Sequence, residues 1–194
     1  GQALSLTQSS GIAMNNHPSI SPDGTEIAFV SDRAGQENLW VMDADGTNPR
    51  QIFNDMEARF AETTWTPDGK SIVATKRGAS PSGFYRTVDS LWKYPRAGGE
   101  GEALVSFESS SSGSGLARSG RWAGLDRAQW ASFTPDGKTV YFHSSAFAGT
   151  GRQLRRMDIE TGHMDWVTEN KDIYLSCCGR PAYPARLGEV APEV

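Results

Sequence analysis

Few side chains in this 194-residue sequence have the means to do chemistry: three histidines, two adjacent cysteines, and carboxylates and tryptophans spread along the chain. His17, His143 and His163 are far apart and share no metal-ligand spacing. No His-x-His or His-Glu-x-x-His occurs, so a zinc-type hydrolase site is not encoded here. Gly78-Ala79-Ser80-Pro81-Ser82 departs from the nucleophile-elbow pattern at its last position, where serine replaces glycine. A phosphate-cradling G-x-x-x-x-G-K loop is also missing. Asp43-Ala44-Asp45-Gly46-Thr47-Asn48 has its glycine fourth, whereas a calcium loop needs it sixth, and it reads as a hairpin turn. No catalytic residue, metal or cofactor is therefore expected.

Binding is the chemistry that remains. His17, Glu62 and Trp130 each stand five residues before the proline of a Pro-Asp-Gly tripeptide. A histidine, a carboxylate and an aromatic ring converging on one mouth could hold a small polar ligand or a peptide end. The plainer alternative is that they line a solvated rim. Arg121 and Trp122 follow a serine- and glycine-rich stretch, Ser109 to Gly115, which has the composition of a flexible loop. Such a loop could reach over a neighbouring active site and help select substrates, or be idle and solvated. Cys177-Cys178 is either a strained vicinal disulfide or a pair of thiols. Trp40, Trp65 and Trp92 fall at apolar strand positions and are expected to fill space between sheets. Asp32 and Arg33 are expected to form polar ties between repeats.

What positions these residues is a repeat. Pro22-Asp23-Gly24, Pro67-Asp68-Gly69 and Pro135-Asp136-Gly137 are 45 and 68 residues apart, one unit length and then the same unit with an insertion of 23. Ser or Thr precedes each proline, and a large apolar residue (Ile20, Trp65, Phe133) precedes that. Proline presets φ, Asp bonds its following backbone and Gly accepts a positive φ, so each tripeptide predicts a tight turn between strands. Ile27–Val30, Ile72–Ala74 and Val140–Phe142 predict strands buried on both faces. Third strands follow at Leu39–Met42, Leu91–Tyr94 and Leu154–Met157, and fourth strands at Arg50–Phe53, Glu102–Val105 and Asp165–Thr168. A four-stranded unit of this length must stack on neighbours, and radial stacking gives a β-propeller.

The stretch His17 to Phe53 carries Ser21-Pro22-Asp23-Gly24, Ser31-Asp32-Arg33 and Leu39-Trp40-Val41-Met42-Asp43-Ala44-Asp45-Gly46. It strongly resembles the TolB-like propeller repeat. The other two units match more loosely and lack the Ser-Asp-Arg element, so the resemblance covers most of residues 3–170. It implies a bacterial extracytoplasmic protein whose propeller binds a partner or is fused to an enzyme. With Leu91-Trp92-Lys93-Tyr94-Pro95-Arg96-Ala97-Gly98-Gly99, the arrangement looks most like the propeller placed ahead of a metal-dependent amidohydrolase domain. Similar propellers precede the catalytic domain of prolyl-oligopeptidase-like serine peptidases.

The expected fold is thus all-β, a partial propeller of three blades with edge fragments. Residues 1–16 would be the outer strand of a preceding blade with its linker, 17–60 blade 1, and 61–127 blade 2 with its insertion. Blade 3 would span 128–170, and 171–194 would start a fourth blade with a loop insertion. Three units leave two sheet faces open, so the expected partners are the rest of a longer protein, a catalytic domain or further copies of the chain. A protein or peptide ligand is also compatible. With 19 Lys+Arg against 23 Asp+Glu and a net charge of -4, there is no basic excess to neutralise phosphates, which argues against nucleic acid. No apolar run is long enough for a membrane helix. The expected role is a non-catalytic scaffold that flanks and gates a hydrolase domain. The alternatives are a stand-alone binding module and one piece of an assembled hydrolase.

Overall fold

A computed structural model describes residues 5–7, 13–56, 58–78, 88–105, 127–145 and 153–168. Within them the chain is all β, in three four-stranded antiparallel units. Blade 1 comprises β1 (Asn15–Ile20), β2 (Glu26–Ser31), β3 (Asn38–Asp43) and β4 (Arg50–Phe53). Blade 2 comprises β5 (Ala58–Trp65), β6 (Ser71–Gly78), β7 (Val88–Pro95) and β8 (Glu102–Val105). Blade 3 comprises β9 (Arg127–Phe133), β10 (Thr139–Ser145), β11 (Gln153–Asp158) and β12 (Met164–Trp166). In each, successive strands pair in sequence order. A single parallel bridge, Asp89 to Arg127, links blades 2 and 3. The strands expected around and after each Pro-Asp-Gly turn are present in the expected order. β12 stops at Trp166, because the Val167 and Thr168 amides both turn to donate to the Leu154 carbonyl, at 2.9 and 3.4 Å.

The Pro-Asp-Gly turn is built the same way three times. The hydroxyls of Ser21, Thr66 and Thr134 each donate to the carboxylate two residues on, Asp23, Asp68 and Asp136, at 2.6 Å. The same carboxylates accept from the amides of Thr25, Lys70 and Lys138. Each glycine has a positive φ of 66 to 72°, which is why glycine stands there. A Cβ on Gly69 would touch Pro22 and one on Gly137 would touch Pro67, so each turn stacks on the turn of the blade before it.

These hydrogen bonds hold all three carboxyls below the ordinary carboxylate range, the serine or threonine hydroxyl being the largest cause. A lowered native value adds stability that is present above the unfolded carboxylate value, about 3.9, and is lost as pH falls through the lowered one. The thermal midpoint should therefore hold steady from neutral pH to about 4 and drop below that. Replacing Asp23, Asp68 and Asp136 together by asparagine should shallow the drop. A drop of equal depth in that variant would assign it to other carboxylates.

Strand alternation sends neighbouring residues to opposite blades. Ile72 and Ala74 join Ala28, Val30, Leu39, Val41 and Ile52 in a core between blades 1 and 2. Val73, one residue away, joins Val140, Phe142 and Met157 between blades 2 and 3. Trp65 is 5% exposed and donates its indole N–H to the Ser19 carbonyl of blade 1 at 2.9 Å. Ile20, the equivalent residue of blade 1, is 61% exposed because no described blade lies against that face. Trp65 thus fills space between sheets as expected. Trp40 and Trp92 are only half-buried, with the Arg33 guanidinium over one ring and the Lys76 ammonium over the other.

Blades 1 and 2 are also joined by charge. Arg96, in the β7–β8 turn, bonds Glu26 at 2.6 Å, Asp23 at 2.8 Å and Thr25 at 2.9 Å, all in the blade 1 turn region. Arg50 donates to Glu26 and to the Arg96 carbonyl. Asp32 and Arg33 do not tie blades together, contrary to expectation. Asp32 accepts from the Met14 amide, and Arg33 bonds Ser31 and Asn15 and covers Phe29. All of these lie in or beside blade 1, because the β2–β3 connection folds back over its own sheet.

The Tyr94 hydroxyl is a local misfit. The residue is fully buried against Phe53 and Phe60, its oxygen has no hydrogen-bond partner, and burial pushes its pKa above the ordinary range. Removing an unpaired buried hydroxyl while keeping the ring is near neutral or stabilising. Tyr94→Phe should leave the thermal midpoint unchanged or raise it; a fall of several degrees would mean that the hydroxyl is bonded in solution.

Candidate binding rim on the inner strands

The innermost strands β1, β5 and β9 adjoin in that order. His17, Glu62 and Trp130 occupy matching places on them and share a backbone feature that the sequence did not announce. All three have a left-handed φ, of 54°, 31° and 52°. Each sits where the register of its strand shifts against the next, between Asn16 and Ser19, between Ala61 and Thr63, and opposite the Tyr141–His143 step. Such bulges re-aim a side chain at the cost of strain, and non-glycine residues hold them only where surrounding contacts demand it. One such contact lies at the blade junction: the Thr63 hydroxyl donates to the His17 carbonyl at 2.7 Å.

The three side chains differ in access. His17 is exposed and Trp130 is 39% exposed, whereas Glu62 is 9% exposed. The Trp130 ring packs edge-on to His143, with centroids 5.3 Å apart. Glu62 Oε1 accepts from Arg77 Nη2 at 3.2 Å, and its Oε2 is buried with no hydrogen-bond partner. Arg77 Nε lies 3.9 Å from Asp89 Oδ1, and the Gln129 side-chain amide donates to Asp89 Oδ2. Glu62, Arg77, Asp89 and Gln129 therefore form one polar chain from blade 2 into blade 3. Arg77, Asp89 and Gln129 escaped the sequence reading. Arg77 and Asp89 are register partners on β6 and β7 of blade 2, and the stacking of blade 3 brings Gln129 to them.

Near the same end of blades 1 and 2 is a cleft of about 440 Å³ lined by Met14, Asp32, Glu37, Met56 and Arg59. Among the described residues no group of three or more His, Cys, Asp or Glu could hold a metal ion. His163 pairs with Asp165 at 3.0 Å on the surface of blade 3, away from the other two histidines in the fold. The Asp43–Asn48 segment is a hairpin turn closed on itself: Thr47 bonds Asp45, and Asn48 bonds Asp43. Arg121, Trp122, Cys177 and Cys178 lie outside the described residues. No helix among the described residues is long and apolar enough to cross a membrane.

No family model matches the chain. An uncharacterized peptidase of Bacillus subtilis, YuxL, is 36% identical over 66 residues, which is 34% of this chain and 10% of that protein. The Tol-Pal system protein TolB of Bordetella pertussis is 26% identical over 148 residues, 64% of this chain and 33% of TolB. Among solved structures, TolB from Acinetobacter baumannii superposes with a TM-score of 0.56 at 22% identity, covering 78% of this chain and 32% of the other. A prolyl endopeptidase superposes with a TM-score of 0.58 at 15% identity, covering 84% of this chain and 23% of the other. The chain thus spans a third or less of the length of these proteins. The likeness establishes the fold as that of a TolB-like β-propeller, of which three blades are described.

Proposed function

We propose that this chain, a segment of a TolB-like propeller, is a non-catalytic scaffold in a larger extracytoplasmic hydrolase, where it flanks the catalytic domain and restricts entry to it. The observation that carries this reading is the stack of three blades with an inner-strand rim, in a chain that spans a third or less of the relatives it matches. It is supported by the peptidase and prolyl endopeptidase likenesses, in which a span of this length is a minor part of a longer protein. The amidohydrolase partner suggested by the repeat arrangement has no counterpart among the relatives described above, whereas peptidases do. We take the catalytic neighbour to be a hydrolase.

In this reading His17, Glu62 and Trp130 form the part of the rim that meets a partner segment or a substrate end. The segment around Leu6 serves as the outer strand of a preceding blade. That assignment is supported by a repeated close approach: a Cβ on Gly46 would come within 2.6 Å of the Leu6 carbonyl oxygen, as one on Gly98 would come within 3.1 Å of that of Ile52.

A second reading, a stand-alone propeller that binds a protein or peptide, is favoured by the TolB match over 64% of the chain. Reading the coding sequence on both sides of this segment separates the two. Further repeats joined in frame to a domain with its own nucleophile or metal-ligand set are expected. Repeats followed directly by a stop codon would overturn the scaffold reading in favour of the binding module.

A further inference from the structure

Glu62 poses a problem that the fold alone does not solve. Its side chain is 7% exposed, and one carboxylate oxygen is fully buried without a donor. An unsatisfied buried carboxylate oxygen is costly, and native structures keep one mainly where something else supplies the missing bond. Among the described residues its one bonded cation is Arg77, which takes the other oxygen and also faces Asp89. Arg59 stands opposite Arg77 in the strand register, is exposed, and leaves Oε2 unpartnered. Lys76, the neighbouring cation on β6, is committed to Asp55 at 2.8 Å.

We propose that Glu62 Oε2 is the acceptor for an ammonium group that a ligand brings to the rim. This rests on the reading of the inner strands as a binding face and adds the ligand's chemistry to it. A divalent metal would need several oxygen or nitrogen ligands, and the described residues hold no group of three that could supply them. An ammonium group needs one strong acceptor and gains from an aromatic face nearby, and charge-assisted bonds of this kind are about twice as strong as neutral ones. Trp130, partly exposed and packed edge-on to His143, stands at the matching place on the adjoining strand of the same rim. Arg77 is 40% exposed and covers the carboxylate, so its displacement opens the way in. The ammonium group can come from a peptide amino terminus or from a lysine side chain, and both carry the same charge and donors.

The test is a calorimetric or NMR titration of the whole chain with methylammonium chloride, using sodium chloride at equal ionic strength as the reference. Glycinamide and Nα-acetyl-lysine amide then represent the two sources; whichever binds more tightly names the source. Saturable binding is expected, weakened about tenfold or more in Glu62→Gln. Arg77→Gln frees the second oxygen and should tighten binding, a sign that a purely structural ion pair would not produce. Should Glu62→Gln fail to fold, the Arg77→Gln result still decides. Shifts no larger than those with sodium, or binding indifferent to both substitutions, would mean that ordered water fills the place and would overturn the proposal. An in-frame catalytic domain found alongside such a negative titration would overturn the ligand chemistry while leaving the scaffold reading in place.

Discussion

Trp65→Ala is expected to destabilise the protein by about 4 kcal/mol and to lower its thermal midpoint by roughly 10 °C. Three losses combine. The ring is buried between blades 1 and 2, its N–H holds the Ser19 carbonyl, and the Arg96 guanidinium sits 5.3 Å from its centre. Truncation leaves a cavity at a junction whose two sides belong to separate sheets, and neither can collapse into the gap without moving the other. Trp65→Phe should recover most of the loss, since it keeps the greater part of the area and gives up mainly a hydrogen bond of about 1 kcal/mol. Thermal denaturation of both variants checks this. A loss below about 1 kcal/mol for the alanine variant would show that the blades are not held together here.

Phe142→Ala acts at the other junction. Phe142 is 0% exposed and packs with Val73, Leu91, Val105 and Met157. Its removal should cost about 3 to 5 kcal/mol. The effect should also be local. Repeat architectures add stability by nearest-neighbour contacts, so blade 3 should loosen before blade 1 does. Hydrogen exchange should quicken in β10 and β11 while amides of β2 and β3 stay protected. Equal acceleration in all three blades would mean that the segment unfolds as one cooperative unit.

These two positions also show what could be read before any coordinates. Trp65 and Phe142 stand at fixed offsets from a Pro-Asp-Gly turn, within runs that announce strands. Position in the repeat gave their burial correctly. Trp40 occupies the same repeat position as Trp92, yet its surroundings differ. In blade 1 the Arg33 guanidinium lies over the Trp40 ring, whereas Trp92 packs against the core shared with blade 1. A repeat predicts which way a side chain points but not what meets it there.

The candidate rim divides in the same way. The offset of five residues singled out His17, Glu62 and Trp130, and the fold sets them on three adjoining strands. Their left-handed backbone was not legible, because glutamate and tryptophan disfavour it and the modest enrichment of histidine there marks no single position. The bonding of Arg77 to Glu62 spans 15 residues, and that of Arg96 to Asp23 spans 73. With 19 basic and 23 acidic side chains in the chain, composition cannot choose among the possible pairings.

Turn chemistry and strand alternation are local, acting over two to five residues, and they were enough to determine the strands around each turn and their order. The contacts between blades were decided only by the tertiary structure. Whether a given guanidinium finds a carboxylate, or a carboxylate oxygen finds nothing, depends on how whole sheets stack, and that free energy is spread over many apolar contacts belonging to no single segment.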